Sequence, residues 1–422
     1  MMKITVLGLW HLGSVTAACC AQHFEVTGLD FDAAALEGLR QGKAQVMEPG
    51  LDALLADGLN AGRLRFSSDA EAACANADIL WVCYDTPVDD NDTADVDFVL
   101  ERIRRCARHL PKSAIMIISS QVPVGTCQLL EAEFPGVAIA IAPENLRLGK
   151  ALDVFRNPDR IIIGVREDTV RTKLEPLFST WSSNLIWMRP ESAEMTKHGI
   201  NTFLAMSIAF MNEIARICEQ TGADAKEVEC GLKSEKRIGP GACLRAGSAF
   251  AGGTLARDVV MLTRIAEKRG DPLVLIPSIK ASNDRHKLWA LGKLKHELGS
   301  LKGKVIAVLG LSYKPGTDTL RRSLAVELCH ALEEAGAQVQ AFDPGIKSRP
   351  AEIDKAWWKA DLAGALAHAD AAVICTEWPE FKKTDWTKVI GFMKLPLLLD
   401  ANGFITPPEG ARYFRVGSTG DC

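Results

Sequence analysis

Three things are missing from this 422-residue chain: an excess of positive charge, a Cys-x-x-Cys pair, and any long apolar run. Lys plus Arg number 49 against 53 Asp plus Glu, a formal charge of -4. No basic surface is therefore on offer to a phosphate backbone, and nucleic acid is not expected as a partner. Apolar runs such as residues 161–164 and 137–142 fall far short of the roughly 18 to 20 residues that span a bilayer, so no membrane segment is expected. The 12 cysteines lie mostly inside apolar stretches such as Trp81-Val82-Cys83. That is how small buried hydrophobes are used in a reducing compartment, so the expectation is a cytoplasmic protein with neither a disulfide framework nor a metal site. Residues 1–20 imitate a secretory signal, with Lys3, an apolar stretch and small residues before Cys19. However, His11, Gly8 and Gly13 would break a signal helix, and residues 25–30 supply a second strand, making residues 3–32 one βαβ unit.

What remains is ordinary globular composition, 47% hydrophobic and 24% charged, and length enough for two or three domains. Short Val/Ile/Leu-rich runs near residues 3–8, 26–30, 79–83, 114–119, 137–142 and 160–164 alternate with helical patterns, which predicts a parallel sheet covered on both faces. From Ser192 to Gln220 the spacing of Met195, Ile200, Leu204, Ile208, Met211 and Ile214 predicts one long helix, followed by further helical material to about residue 296. After a basic link at residues 293–304 the opening returns as a near copy. KITVLGL at residue 3 parallels KVIAVLGL at 304, EVTGLD at 25 parallels QVQAFD at 338, and ADILWVCYDTP at 77 parallels ADAAVICTEWP at 369. Three matches in one order predict an α/β chain with two Rossmann-like, doubly wound domains at its ends and a central helical domain between them. The expected boundaries are 1–190, 191–296 and 303–422.

Gly8-Leu9-Trp10-His11-Leu12-Gly13 falls where a strand gives way to a helix, and Asp30 closes the next strand as an adenosine-ribose acceptor should. Asp30 favours NAD over NADP, because a carboxylate repels a 2′-phosphate. Trp10 stands where the backbone normally meets the pyrophosphate without a side chain. It either points away or covers the cofactor.

Further motifs follow in order: Glu48-Pro49-Gly50-Leu51, Asp85-Thr86-Pro87, Val122-Pro123-Val124-Gly125-Thr126, Pro143-Glu144, Lys197 with Asn201, Arg237-Ile238-Gly239, Phe250 to Asp258, Lys314 with Arg321, and Thr376-Glu377-Trp378. Together they resemble the UDP-glucose/GDP-mannose dehydrogenases over essentially the whole chain. The resemblance implies NAD as cofactor, a nucleotide sugar (most commonly a UDP-sugar) as substrate, and a homodimer built on the long helix. It implies Lys197 and Asn201 as stabilisers of alkoxide and oxyanion, with Asp258 positioning water and moving protons beside Glu144. Gly8, Trp10, Leu12, Gly13, Asp30, Thr86 and Gln121 would face the cofactor. Leu146, Phe250, Gly252, Lys314 and Arg321 would face the substrate, and Arg237 would reach the neighbouring subunit's site.

One departure changes the expected chemistry. The family's nucleophilic cysteine lies four residues before the aspartate, and that position is Thr254. An alkyl hydroxyl ionises far less readily than a thiol with a pKa near 8.5. Gln121 and Leu148 also replace the family's Thr and Glu. The expectation is one hydride transfer at a carbinol carbon, ending at a carbonyl. A redox-neutral epimerase with bound NAD and a non-catalytic nucleotide-sugar binder remain open as alternatives.

Overall fold

The computed structural model describes residues 1–89, 91–251 and 253–419, in two compact units that divide at Ile200 and Asn201. In the first unit, eight strands form one sheet in the order β3-β2-β1-β4-β5-β6-β7-β8. They are β1 (Lys3–Leu7), β2 (Glu25–Leu29), β3 (Leu64–Ser67), β4 (Ile79–Val82), β5 (Ile115–Ile118), β6 (Ala138–Ile141), β7 (Ile161–Gly164) and β8 (Leu185–Met188). Strands β1 to β6 run parallel, and apart from the edge strand β3 their residues are almost wholly buried because helices cover both faces. The sequence reading needs one correction here: β7 pairs antiparallel to β6, and β8 then runs parallel to β7. Strand order reverses between β1 and β4, so their carboxyl ends open a crevice.

In the second unit, β9 (Val305–Leu309), β10 (Gln338–Phe342), β11 (Ala371–Ile374), β12 (Leu397–Asp400) and β13 (Arg412–Phe414) form a parallel sheet in the order β10-β9-β11-β12-β13. The predicted internal repeat is visible atom for atom. Asp30 at the end of β2 accepts from Leu9 N at 2.7 Å, and Asp343 at the end of β10 accepts from Leu311 N at 2.7 Å. Asp78 accepts from Lys3 N at 2.8 Å, and Asp370 from Val305 N at 2.9 Å. Gly8 and Gly310 end the first strand of each sheet at φ of 90° and 88°.

The long helix runs from Pro190 to Thr221, 32 residues, and the first half of the link predicted at 293–304 is helical, since the Trp289–Leu298 helix runs into it. The Thr254–Lys268 and Leu275–Lys287 helices complete it. Among the described residues, no helix is long and apolar enough to cross a membrane.

Candidate active site

In the first unit, the carboxyl ends of β1, β2, β4 and β5 carry the predicted cofactor residues. Gly8 has φ of 90°, and a Cβ on Gly13 would lie 1.6 Å from Gly8 O. Only glycine lets the His11–Cys20 helix pack this close to the strand end. Trp10 is the N-cap of that helix and supplies no side-chain cap to its amides, so the amino-terminal amides and the helix dipole point to where a pyrophosphate would sit. Asp30 is buried, and its carboxylate also accepts from Phe31 N at 2.7 Å and Asp32 N at 3.2 Å. The strand-end glycines, the open helix terminus and the Asp30 carboxylate fit a dinucleotide. Trp10 is half-buried and meets His11 edge-on, with ring centroids 6.5 Å apart. Leu12 is buried in the core of the unit. Thr86 lies in the loop after β4 and donates to Gln121 O at 2.6 Å, which ties the β4 and β5 loops together.

The long helix enters this unit with Lys197, buried to 8% exposure. Its ammonium donates to Glu144 O at 2.5 Å and to Asn145 Oδ1 at 3.3 Å, with the Glu144 carboxylate at 3.8 Å. Glu144 also accepts from Leu146 N, so the loop after β6 turns around its own carboxylate. The adjacent His198 is fully buried; its Nε2 donates to Val122 O at 3.0 Å, and Gln121 Nε2 lies 3.3 Å from its Nδ1. His198, then, orients the Gln121 side chain.

In the second unit, Asn201 lies one turn further along the same helix and donates through Nδ2 to Asp258 Oδ2. Asp258 is completely buried, and Asn201 is 5% exposed. Thr254, four residues earlier, is the exposed first residue of its helix, and Gly253 before it has φ of 94°. Phe250 is pinned on both backbone groups by Asn283, whose side chain bonds Phe250 N at 2.9 Å and Phe250 O at 2.8 Å. Gly252 lies outside the described residues. Lys314 and Arg321 occupy the loop between β9 and the Leu324–Glu334 helix. Arg237 is solvent-exposed and pairs locally with Glu235 at 3.1 Å.

Comparison with known proteins decides the family. The NAD-binding domain model of the UDP-glucose/GDP-mannose dehydrogenase family matches residues 2–182, its central domain model 191–285 and its UDP-binding domain model 307–407. A UDP-glucose 6-dehydrogenase from Rhizobium meliloti is 35% identical over 99% of both chains. The chain belongs to the UDP-glucose/GDP-mannose dehydrogenase family. As a member it is an NAD-dependent, nucleotide-sugar dehydrogenase-like enzyme. A UDP-glucose dehydrogenase structure from Pyrobaculum islandicum superposes with a TM-score of 0.91 at 30% identity, covering 99% of this chain and 98% of that one. A UDP-D-ManNAc dehydrogenase from Pyrococcus horikoshii gives 0.87 at 26% identity over the full length of both.

Several residues of this family member carry structural work that sequence reasoning left unassigned. Glu48 is buried and accepts from Gly149 N at 2.6 Å and Ala151 N at 2.8 Å, with His11 Nε2 at 2.9 Å. Glu194, 1% exposed, accepts from Gly125 N at 2.6 Å and Cys127 N at 2.9 Å, capping the Thr126–Glu133 helix. Both carboxylates hold backbone amides far away in sequence, and for Glu48 the only hint was its place beside Pro49 in the ordered motifs. Burial pushes the thiols of Cys19 and Cys375 up to about 12, which keeps them protonated and unreactive. Cys230 and Cys243 are exposed, and neither lies on the Thr254–Lys268 helix.

Proposed function

We propose that the enzyme oxidises one carbinol carbon of a UDP-sugar by a single hydride transfer and releases a carbonyl product. The observation that carries this reading is the hydroxyl of Thr254 on the first turn of its helix, four residues before the buried Asp258. A cysteine there would gain from the helix dipole, since a thiolate near pKa 8.5 is readily stabilised by a positive terminus. A threonine hydroxyl stays protonated and does not add to an aldehyde without a dedicated base. Bound NAD supplies the hydride acceptor.

The remaining chemistry falls to the chain's own groups. As the carbinol C–H bond breaks, charge develops on the oxygen that loses its proton. Lys197 and Asn201 are one turn apart on a continuous helix, so both present donors along one face. An ammonium and an amide aimed at that oxygen stabilise it. The displaced proton passes to Asp258, directly or through water or the Thr254 hydroxyl. Gln121, oriented by His198, serves the cofactor side, and Lys314 and Arg321 serve the diphosphate.

The long helix also supports the homodimer reading. Phe203, Phe210 and Ile217 recur every seven residues and are 60%, 47% and 55% exposed, an apolar stripe suited to pairing with a second copy. In this reading Arg237, exposed and locally paired, serves a partner's site.

The test is to incubate the enzyme with NAD and UDP-glucose in the presence of hydroxylamine and analyse the sugar by mass spectrometry. An oxime of the dehydrogenated sugar is expected. A uronic acid formed as fast with the trap as without it would overturn the proposal.

A further inference from the structure

The two Rossmann-like domains open alike, yet the acceptor that would receive an adenosine ribose is occupied differently in each. In the first, Asp30 is 8% exposed and accepts from three backbone amides, Leu9 N, Phe31 N and Asp32 N. A carboxylate offers about four acceptor positions, so one is left for a ribose hydroxyl. In the second, Asp343 is completely buried and accepts from Leu311 N and Ser312 N at 2.7 Å, Gly345 N and Ser312 Oγ at 2.8 Å, and Trp378 Nε1 at 3.2 Å. No acceptor position remains.

Trp378 reaches Asp343 from the loop after β11. In the repeat of residues 77–87 at 369–379 it stands where the first domain has Thr86, one of the residues predicted to face the cofactor. The correspondence holds in three dimensions: a Cβ on Gly8 would lie 2.6 Å from Tyr84, and a Cβ on Gly310 would lie 2.6 Å from Thr376, the residues two before Thr86 and Trp378. The indole is 7% exposed and also donates to Ser312 Oγ at 3.0 Å. Its ring lies against Gly345, where a Cβ would come within 2.4 Å of it. Ser312 and Gly345 are the counterparts of Trp10 and Asp32, so the indole fills the space between the glycine turn and the end of the second strand. That space is where a dinucleotide-binding domain seats its adenosine ribose.

The following helix is unsuited to a pyrophosphate as well. Trp10 gives its helix no side-chain cap, whereas Ser323 Oγ accepts from Ala325 N and Val326 N at 3.2 and 3.4 Å, and Glu327 puts a negative charge in the first turn.

We propose that Trp378 is the residue that bars adenine dinucleotides from the second domain: its indole takes both the space and the acceptor that an adenosine ribose takes in the first. One NAD per chain, on the first domain, is the consequence.

The test is equilibrium dialysis of adenosine against the full chain at saturating NAD, which occupies the first domain. Adenosine carries the ribose without the diphosphate that Ser323 and Glu327 disfavour. The unmodified chain should retain none. Trp378→Ala should retain one adenosine per chain, and 2′-deoxyadenosine, which has no hydroxyl to donate to Asp343, should bind about tenfold more weakly. Trp378→Leu clears the ring from Gly345 while keeping apolar bulk beside Phe381 and Trp386 in the same core cluster, so the result does not hang on the alanine variant folding. Adenosine retained by the unmodified chain, none retained by either variant, or equal binding of adenosine and its 2′-deoxy form would overturn the proposal.

Discussion

Replacing Asn201 with alanine should cost far more stability than replacing its partner. Asp258 is completely buried, and Asn201, itself only 5% exposed, donates to its carboxylate. Asn201→Ala removes a charge-assisted hydrogen bond and leaves a buried negative charge less well satisfied, worth about 1.5–3 kcal/mol. For a chain of 422 residues that corresponds to a drop in Tm of roughly 2–3 °C. Asp258→Asn keeps an oxygen for Asn201 and removes the charge, so its stability cost should stay below about 1 kcal/mol. Activity should order the two differently. Asn201→Ala loses one oxyanion donor, about 10²–10³ in kcat, whereas Asp258→Asn loses the proton carrier, about 10²–10⁴. Combined, the two changes should cost less stability than their sum, because the charge that Asn201 satisfied is gone. Calorimetry and NADH production on the four proteins decide it. If Asn201→Ala melts within about 1 °C of the parent while Asp258→Asn collapses, the account of this pair is wrong.

Three further outcomes are expected. Gly13→Ala would place a Cβ 1.6 Å from Gly8 O and should abolish NAD binding, read by fluorescence titration, whereas Gly231→Ala, in a helix with open space around it, should raise stability by about 0.5–1 kcal/mol. Phe210→Glu puts a charge in the exposed stripe of the long helix and should turn the expected dimer into a monomer by analytical ultracentrifugation; an unchanged mass refutes pairing through that face. Asp224 is partly buried, which opposes its ionisation, but the Lys226 amide and the Arg415 guanidinium outweigh this and hold its carboxyl below the ordinary value. A depressed carboxyl stabilises the fold above its unfolded pKa and loses that contribution as pH falls through the folded value. Urea unfolding should show Arg415→Ala losing more stability at about pH 7 than at about pH 2.

Much of the architecture was legible because its signals are local. The glycines around Trp10 and the acidic strand ends at Asp30 and Asp343 mark two copies of one βαβ opening, and apolar spacing marks the long helix. The antiparallel entry of β7 was not legible, since an apolar run of four residues has no direction until its partner is known. Nor were the roles of Glu48, Glu194, Asn283 and Asn402, which hold backbone groups 33 to 154 residues away. Periodicity carries no record of such bonds, because any residue can supply the amide. His198 was hidden for a related reason: its neighbour Lys197 drew the chemical reading, and Gln121, 77 positions earlier, meets it only in the fold.

The most direct test of the central claim is NADH formed per nucleotide sugar consumed by the unmodified enzyme and by Thr254→Cys. The account predicts one NADH per sugar and a carbonyl product for the former. The cysteine variant, with a thiol on the first turn of the helix, should approach two NADH and a carboxylate. Two NADH per sugar from the unmodified enzyme would contradict the claim that Thr254 ends the reaction at the first oxidation.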